Sequence, residues 1–229
     1  MGLKKTLKKL LGYKETDKFL NESYSQEGED NILNRVFENK PNGFFIDVGA
    51  HHPMRFSNTY IFYKKGWRGI NIDAMPGSME LFKKYRPLDI NLEIPVAGKE
   101  AILPFHIFNE LALNTFSPEL AAEREQKEAY KIVKILEVQT KTLASILNDH
   151  LPPDTKINFI SIDAEGFDFD ILTSNNWKKF PAEMVLVESE LTVDAFFESK
   201  LCAFMQGMGY HFFAKTLRTY FLKNDTFTV

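Results

Sequence analysis

The stretch Gly43-Phe-Phe-Ile-Asp-Val-Gly49 decides the fold of this chain. An apolar run that stops at an acid and a glycine is typical of a buried parallel strand that ends at the ligand-binding edge of a sheet. Three comparable runs follow, and each ends in a carboxylate: Trp67–Asp73, Ile157–Asp163 and Met184–Glu188. We therefore predict an α/β fold whose parallel strands bring four acids to one edge.

Helical patterns alternate with these strands, which predicts a mostly parallel sheet with helices on both faces. A further strand is predicted at Ile90–Ala97. Tyr210–Lys215 and Arg218–Leu222 predict a C-terminal antiparallel hairpin near the sheet edge. The predicted helices are Asp30–Glu38, Ser57–Lys65, Ser78–Tyr85, Thr142–Asp149, Asp168–Asn176 and Val193–Met208.

Residues 98–140 interrupt this alternation. Ala101–Phe108 predicts an extra strand, and Pro118–Val133 is a charged, helix-prone stretch. We interpret 98–140 as an insertion above the strand ends, where a substrate lid would lie, within a ligand-binding domain that spans 25–229.

The composition limits the classes of protein. A length of 229 residues with 44% hydrophobic residues fits one large domain with a substantial core. The net charge of −3 argues against a surface adapted to polyanions, so no nucleic-acid partner is expected. Cys202 is the single cysteine, which excludes an intrachain disulfide and a cysteine-based zinc site. We therefore expect a reduced, cytoplasmic setting.

The first 24 residues form a basic amphipathic segment. Met1–Leu11 reads MGLKKTLKKLL, with leucines on one helical face and lysines mostly on another. Such a helix could make peripheral contact with an anionic membrane surface. It could equally pack on the domain or on a second subunit of a homodimer. No apolar run approaches the ~20 residues needed to cross a bilayer.

The turn Asp47-Val-Gly49-Ala50 indicates which ligand the sheet binds. Turns that bind NAD use G-x-G-x-x-G, and here the second and third glycines are missing. The carboxylate of Asp47 would repel a pyrophosphate but suit the ammonium and sulfonium of S-adenosylmethionine (SAM). Asp73, at the end of the next strand, can accept both ribose hydroxyls. These residues favour SAM, and a NAD(P)-type or other nucleotide-binding enzyme is the alternative.

The motifs, taken in order, resemble the FkbM-type methyltransferases. The segments that carry the resemblance are Ser25–Asp30 (SQEGED), Ile46–Ala50 (IDVGA), Gly69–Ala74 (GINIDA), Ile162–Gly166 (IDAEG) and the strand that ends at Glu188. The resemblance implies a class I, Rossmann-like SAM methyltransferase fold. It also implies O-methylation of a hydroxyl on a sugar, a glycan or another small natural product.

The resemblance also implies that Ser25–Asp30 folds over the SAM pocket, with Gln26 and Glu29 facing the cofactor or the acceptor. The alternative is a plain helix-capping segment. Asn58, within Ser57-Asn-Thr59, becomes a site residue only through the resemblance. The expected cofactor-binding residues are Gln26, Glu29, Asp47, Gly49, Ala50, Asn58, Asp73, Ala74 and Met75.

Methylation of an alcohol needs a group that takes the hydroxyl proton. Asp163 and Glu165 are the first candidates, because the strand end and the Glu165-Gly166 turn would direct them at the transferred methyl. His51 and His52 are the second candidates, and for each the alternative is a histidine that orders the loop.

The same acids could instead hold a metal ion. Asp163, Glu165 and Glu188 offer the oxygen ligands that suit Mg²⁺, which would bind and acidify the acceptor hydroxyl. They could equally cap the helices that follow. A third class of function, a catalytically silent SAM-binding scaffold, would keep the fold without turnover.

Overall fold

The computed structural model describes residues 19–228, so residues 1–18 of the basic N-terminal segment lie outside its described part. Two sheets are present in that part, one of seven strands and one of two. The strands are β1 Phe44–Val48, β2 Arg68–Asp73, β3 Ile90–Glu93, β4 Ile102–Phe108, β5 Ile132–Gln139, β6 Ile157–Ile162, β7 Ala182–Glu188, β8 Tyr210–Lys215 and β9 Thr219–Asn224.

The seven-stranded sheet has the order β3-β2-β1-β6-β7-β9-β8. Strands β3, β2, β1, β6 and β7 are parallel neighbours, whereas β9 is antiparallel to both β7 and β8. The predicted α/β class, the mostly parallel sheet and the antiparallel C-terminal hairpin are confirmed. The hairpin inserts β9 beside β7 and leaves β8 at the edge.

Helices cover both faces of this sheet, because side chains of each strand alternate between two apolar cores. Ile46 and Val48 of β1 belong to one core, and Phe45 belongs to the other. The helices are α1 Glu29–Val36, α2 Tyr60–Lys64, α3 Met79–Tyr85, α4 Pro118–Glu125, α5 Leu143–His150, α6 Asp168–Thr173, α7 Val193–Phe197 and α8 Lys200–Gly207. No helix among them is long and apolar enough to span a membrane.

Three predicted helices differ from the structure. The single helix predicted at Val193–Met208 is two helices, because the Ser199 hydroxyl accepts a hydrogen bond from the Cys202 N–H and starts α8. The helix-prone stretch predicted to Val133 ends at Glu125, and β5 begins at Ile132. The helix predicted at Ser57–Lys65 begins only at Tyr60, because the Ser57 hydroxyl accepts from the N–H groups of Thr59, over 3.3 Å, and Tyr60, over 3.1 Å, and forms a turn before the helix.

The insertion forms the second sheet, in which β4 and β5 pair antiparallel. Its inner face carries Phe105 and Ile107, which pack with Phe116. Around them lie Ala74 and Met75, which follow β2, and Phe167 before α6. The insertion therefore packs against the carboxyl ends of the parallel strands.

Candidate active site

A cleft of about 530 Å³ lies at the carboxyl ends of β1, β2 and β6. This is the edge at which open α/β sheets bind ligands. The cleft is lined from three directions: by the turns after β1 and β2 (Gly49, His51, His52, Asp73, Ala74, Met75), by the turn after β6 (Asp163, Ala164, Glu165), and by the insertion (Phe105, Asn109, Glu110, Leu111, Ala112, Asn114, Phe116).

Gly49 allows the first turn to approach the end of β6. Its φ of +79° lies in the left-handed region, and a Cβ at this position would lie 1.7 Å from the carbonyl oxygen of Asp163. Its N–H donates to the Ile72 carbonyl over 2.9 Å, which fixes the turn against β2. Only glycine meets both requirements, and the bare backbone leaves room for a ligand.

Asp73 joins two of the loops that border the cleft. Its carboxylate accepts hydrogen bonds from the backbone N–H groups of His51, over 2.9 Å, and Met75, over 2.8 Å. Burial raises the pKa of Asp73, and these two bonds oppose the increase. A carboxylate has about four lone-pair positions, so it can still accept bonds from a ligand.

Asp47 lies elsewhere than expected. Its carboxylate accepts a 2.7 Å bond from the Thr59 hydroxyl, which in turn accepts from the buried Arg86 guanidinium over 2.9 Å. Burial raises the pKa of Asp47, and Thr59 and Arg86 oppose this. Arg86 also pairs with Asp89 at 2.8 Å. Asp47 is absent from the described lining of the cleft, and its carboxylate instead anchors the strand end through Thr59.

Ala50 is also covered, because it packs on Met79 and Phe82 of α3. Its N–H donates to the Ile72 carbonyl over 3.0 Å. Ala50 therefore supports the turn, as Asp47 does.

The two histidines line the cleft in different ways. His51 has a φ of +51°, and burial lowers its pKa while Asp73 opposes this. The Nδ1 of His52 accepts from the N–H groups of Met54, over 3.1 Å, and Arg55, over 2.9 Å, so this ring orders the loop. Burial also lowers the pKa of His52. A neutral ring is required for Nδ1 to accept these bonds.

Three carboxylates form a cluster after β6 and β7. Asp163, Glu165 and Glu188 each offer an oxygen, and these oxygens all lie within 4.8 Å of one another. Asp163 is open to the cleft, yet desolvation by the residues packed around it raises its pKa well above the usual range. The charges of Glu188 and Glu165 and a hydrogen bond with Glu188 raise it further. Asp163 therefore holds a proton much more strongly than an ordinary aspartate.

Glu165 is tied to the insertion. Its carboxylate pairs with Arg124 of α4, and its backbone carbonyl accepts a 2.7 Å bond from the Thr115 hydroxyl. Burial raises the pKa of Glu165, and Arg124 opposes this. The sequence contains no signal for Arg124, because its role depends on how the insertion folds.

Asp168 holds the turn that carries Asp163 and Glu165. Its carboxylate accepts from the N–H groups of Ala164, over 3.0 Å, and Gly166, over 3.1 Å. Burial raises the pKa of Asp168 to about 7. Sequence reasoning predicted the helix that starts here but gave Asp168 no role, although an acid two residues after a turn glycine suggests a capping carboxylate.

A second, small cavity of about 20 Å³ lies beside the carboxylate cluster. Its volume is about that of one water molecule or one hydroxyl group. Gln26, Phe56 and Asp163 line both this cavity and the larger cleft. The remaining lining residues are Glu27, Glu29, Asn58, Glu188, Arg218 and Thr219.

Seven of the nine predicted cofactor residues line at least one of the two cavities, and Asp47 and Ala50 are absent from the described lining of both. Gly49, Asp73, Ala74 and Met75 line the larger cleft, and Gln26 reaches both cavities. Glu29 and Asn58 are described in the lining of the small cavity and not in that of the larger cleft. The Asn58 amide donates to the Ser161 hydroxyl over 3.0 Å.

The sheet order, the glycine turn at the strand ends and the cleft define a Rossmann-like methyltransferase. The family model described as Methyltransferase FkbM domain matches residues 47–212, and the chain belongs to this family. Neither a curated protein nor a solved structure matches the chain. Membership implies methyltransferase activity with SAM as donor, which overturns the alternative of a NAD(P)-type enzyme.

The cleft fits SAM. Its volume falls in the usual range for small-molecule sites, and Gly49 leaves the backbone open at the first turn. Asp73 can accept ribose hydroxyls, and apolar side chains such as Val96 and Phe105 offer walls for a flat base.

Proposed function

We propose that this protein transfers the methyl group of SAM to a hydroxyl of a sugar, a glycan or another small natural product, with Asp163 as the proton acceptor. The observation that carries the proposal is the place of Asp163, which lines both cavities. A donor in the larger cleft and a hydroxyl in the small cavity would meet at this carboxylate.

SAM, when bound, supplies a methyl group that its sulfonium already activates. The protein must then position the acceptor, exclude water and take the hydroxyl proton. A carboxylate whose pKa is raised by burial and by neighbouring acids is a stronger base than an ordinary aspartate. Glu188, whose carboxylate oxygen lies within 4.8 Å of that of Asp163, offers the proton a second carboxylate.

The other candidates suit this role less well. Glu165 is engaged by Arg124, and that pairing opposes any increase in its basicity. His52 uses Nδ1 to order its loop. His51 lies beside Asp73, on the side of the cleft where the turns after β1 and β2 meet.

A Mg²⁺ ion is the second use considered for the carboxylate cluster. The three oxygens are close enough to share an ion. However, Glu165 is already neutralised by Arg124, and the neighbouring charge of Glu188 raises the pKa of Asp163. This arrangement fits a shared proton better than a cation, so we propose a reaction that does not need a metal.

The proposal is tested by calorimetric titration with SAM and by transfer of radiolabelled methyl groups to a panel of hydroxylated acceptors. Asp163→Asn should reduce transfer by about 100-fold or more and leave SAM affinity within about fivefold. Asp149→Asn, at an exposed site on α5, is the matched control and should change neither quantity. Full activity of Asp163→Asn would rule out Asp163 as the base, and a wild-type protein that binds no SAM would overturn the function itself.

A further inference from the structure

The N-terminal segment and the C-terminal hairpin form one wall beside Asp163. The hydroxyl of Thr216 donates to Glu29 over 2.7 Å, and the N–H of Arg218 donates to Glu27 over 2.8 Å. We call residues 26–29 and 216–219 together the clasp. Its two halves are almost 190 residues apart in the sequence, with separations of 187 and 191 residues across these two bonds.

The clasp borders the small cavity, whereas the insertion borders only the larger cleft, which Gln26 of the clasp also reaches. Gln26, Glu27, Glu29, Arg218 and Thr219 border the small cavity, and no described residue of the insertion borders it. The insertion instead contributes side chains such as Phe105 and Leu111 to the larger cleft. The lid expected above the strand ends therefore faces the donor cleft.

The small cavity carries an excess of negative charge. Four carboxylates line it, those of Glu27, Glu29, Asp163 and Glu188, against the single guanidinium of Arg218. Arg218 is shared with Glu188, at 3.9 Å, and with Glu190, at 3.4 Å. A carboxylated or phosphorylated compound that entered here would meet like charges with no free cation among the described lining residues, and like-charge contacts cost affinity.

We propose that the clasp recognises the acceptor, and that the acceptor is an uncharged hydroxyl compound. This inference rests on the proposed function. The acceptor hydroxyl enters from the side of Gln26 and Arg218, and neighbouring hydroxyls donate hydrogen bonds to the carboxylates of the clasp. Anionic relatives of the acceptor are rejected by the charge of the same carboxylates.

Two pools of acceptors test the chemical class. One contains methyl glycosides of neutral hexoses and pentoses, and the other contains the matching uronic acids and sugar phosphates. Transfer of label from SAM should be about tenfold or more greater into the neutral pool. Equal or greater transfer into the anionic pool overturns the inference, and so does transfer into neither pool by a protein that binds SAM. A protein that does not bind SAM instead overturns the proposed function.

Variants test the place of recognition. Arg218→Gln and Glu27→Gln should each raise the KM for the acceptor about fivefold or more and leave the Kd for SAM within about twofold. Leu111→Ala, in the insertion, should show the reverse pattern. Arg35→Gln, on the exposed face of α1, is the matched control. If the clasp variants, checked for folding by circular dichroism, weaken SAM binding and leave the acceptor KM unchanged, the assignment is wrong.

Discussion

The guanidinium of Arg124 pairs with the carboxylate of Glu165 and also donates a 2.6 Å hydrogen bond to the Leu113 carbonyl. The Arg124 side chain is 12% exposed and the Glu165 side chain is 26% exposed. One largely buried cation therefore connects three parts of the site: helix α4, the segment at Leu111–Leu113 that borders the cleft, and the carboxylate cluster. Withdrawal of the insertion would leave Glu165 as an uncompensated charge.

Removal of Arg124 should disturb the fold and the site together. Arg124→Met leaves Glu165 unpaired in a largely buried position, and we expect a destabilisation of about 2–4 kcal/mol. Glu165→Gln in the same chain should recover part of that loss. Urea unfolding of the four proteins of the double-mutant cycle measures the coupling, expected at about 1–3 kcal/mol. Additive effects would show that the pair contributes no net interaction.

Gly49 offers a prediction with an internal control. Gly49→Ala combines a left-handed φ with a Cβ at 1.7 Å from the Asp163 carbonyl, whereas Gly66→Ala has the left-handed φ of +97° with no atom within 4 Å. Gly66→Ala should cost about 1–2 kcal/mol in the free energy of unfolding. Gly49→Ala should cost more and abolish SAM binding in calorimetry. Equal effects of the two substitutions would show that the end of β6 moves away from residue 49 at little cost in free energy.

Local pattern predicted most of the sheet and part of the site. Asp73, Asp163 and Glu188 end their strands, or directly follow them, and meet at one edge because parallel strands share a direction. Asp47 shows the same sequence pattern but lies within β1, in register with Asn71 and Ser161. The alternation of side chains along the strand turns it away from the cleft, towards Thr59 and Arg86. The pattern of apolar residues gave no sign of that difference.

The features that sequence reasoning missed depend on distant pairings. Strand β5 has an inner face of Leu136 and Val138, but its outward Val133 and Ile135 are exposed, which obscures the expected alternation. The pairing of Arg124 with Glu165 joins positions 41 residues apart. The joining of Glu29 to Thr216 spans 187 residues. Such contacts follow from the assembled fold and leave no local signal.

Chelation tests the use of the carboxylate cluster. Methyl transfer in excess EDTA should stay within about twofold of the rate with added Mg²⁺, because Glu165 is neutralised by Arg124 and the raised pKa of Asp163 favours a proton on that carboxyl. SAM affinity, measured in parallel, should not respond either. Loss of transfer on chelation and its recovery with Mg²⁺ would assign the three acids to a cation.

Substitution of Asp163 by asparagine should remove activity without reducing stability, whereas the same substitution of Asp168 should reduce stability. The pKa of Asp163 in the folded protein is raised well above the ordinary value of 3.8. The folded state therefore binds this proton more tightly than the unfolded state does. The resulting contribution to the free energy of unfolding is fully present below about pH 4 and is lost as pH rises through the raised pKa. An asparagine cannot ionise, so Asp163→Asn does not lose stability as pH rises. The variant should be at least as stable as the wild type at mildly alkaline pH, although it is inactive.

Asp168→Asn is the matched comparison, because burial raises the pKa of Asp168 to about 7 as well. Its two carboxylate oxygens accept from Ala164 and Gly166, and an amide has only one oxygen that can accept. Asp168→Asn should therefore lose about 1–3 kcal/mol. Thermal unfolding across pH measures both variants. If Asp163→Asn were the less stable of the two at alkaline pH, the ionised Asp163 would be stabilising the fold, and its assignment as a base with a raised pKa would be wrong.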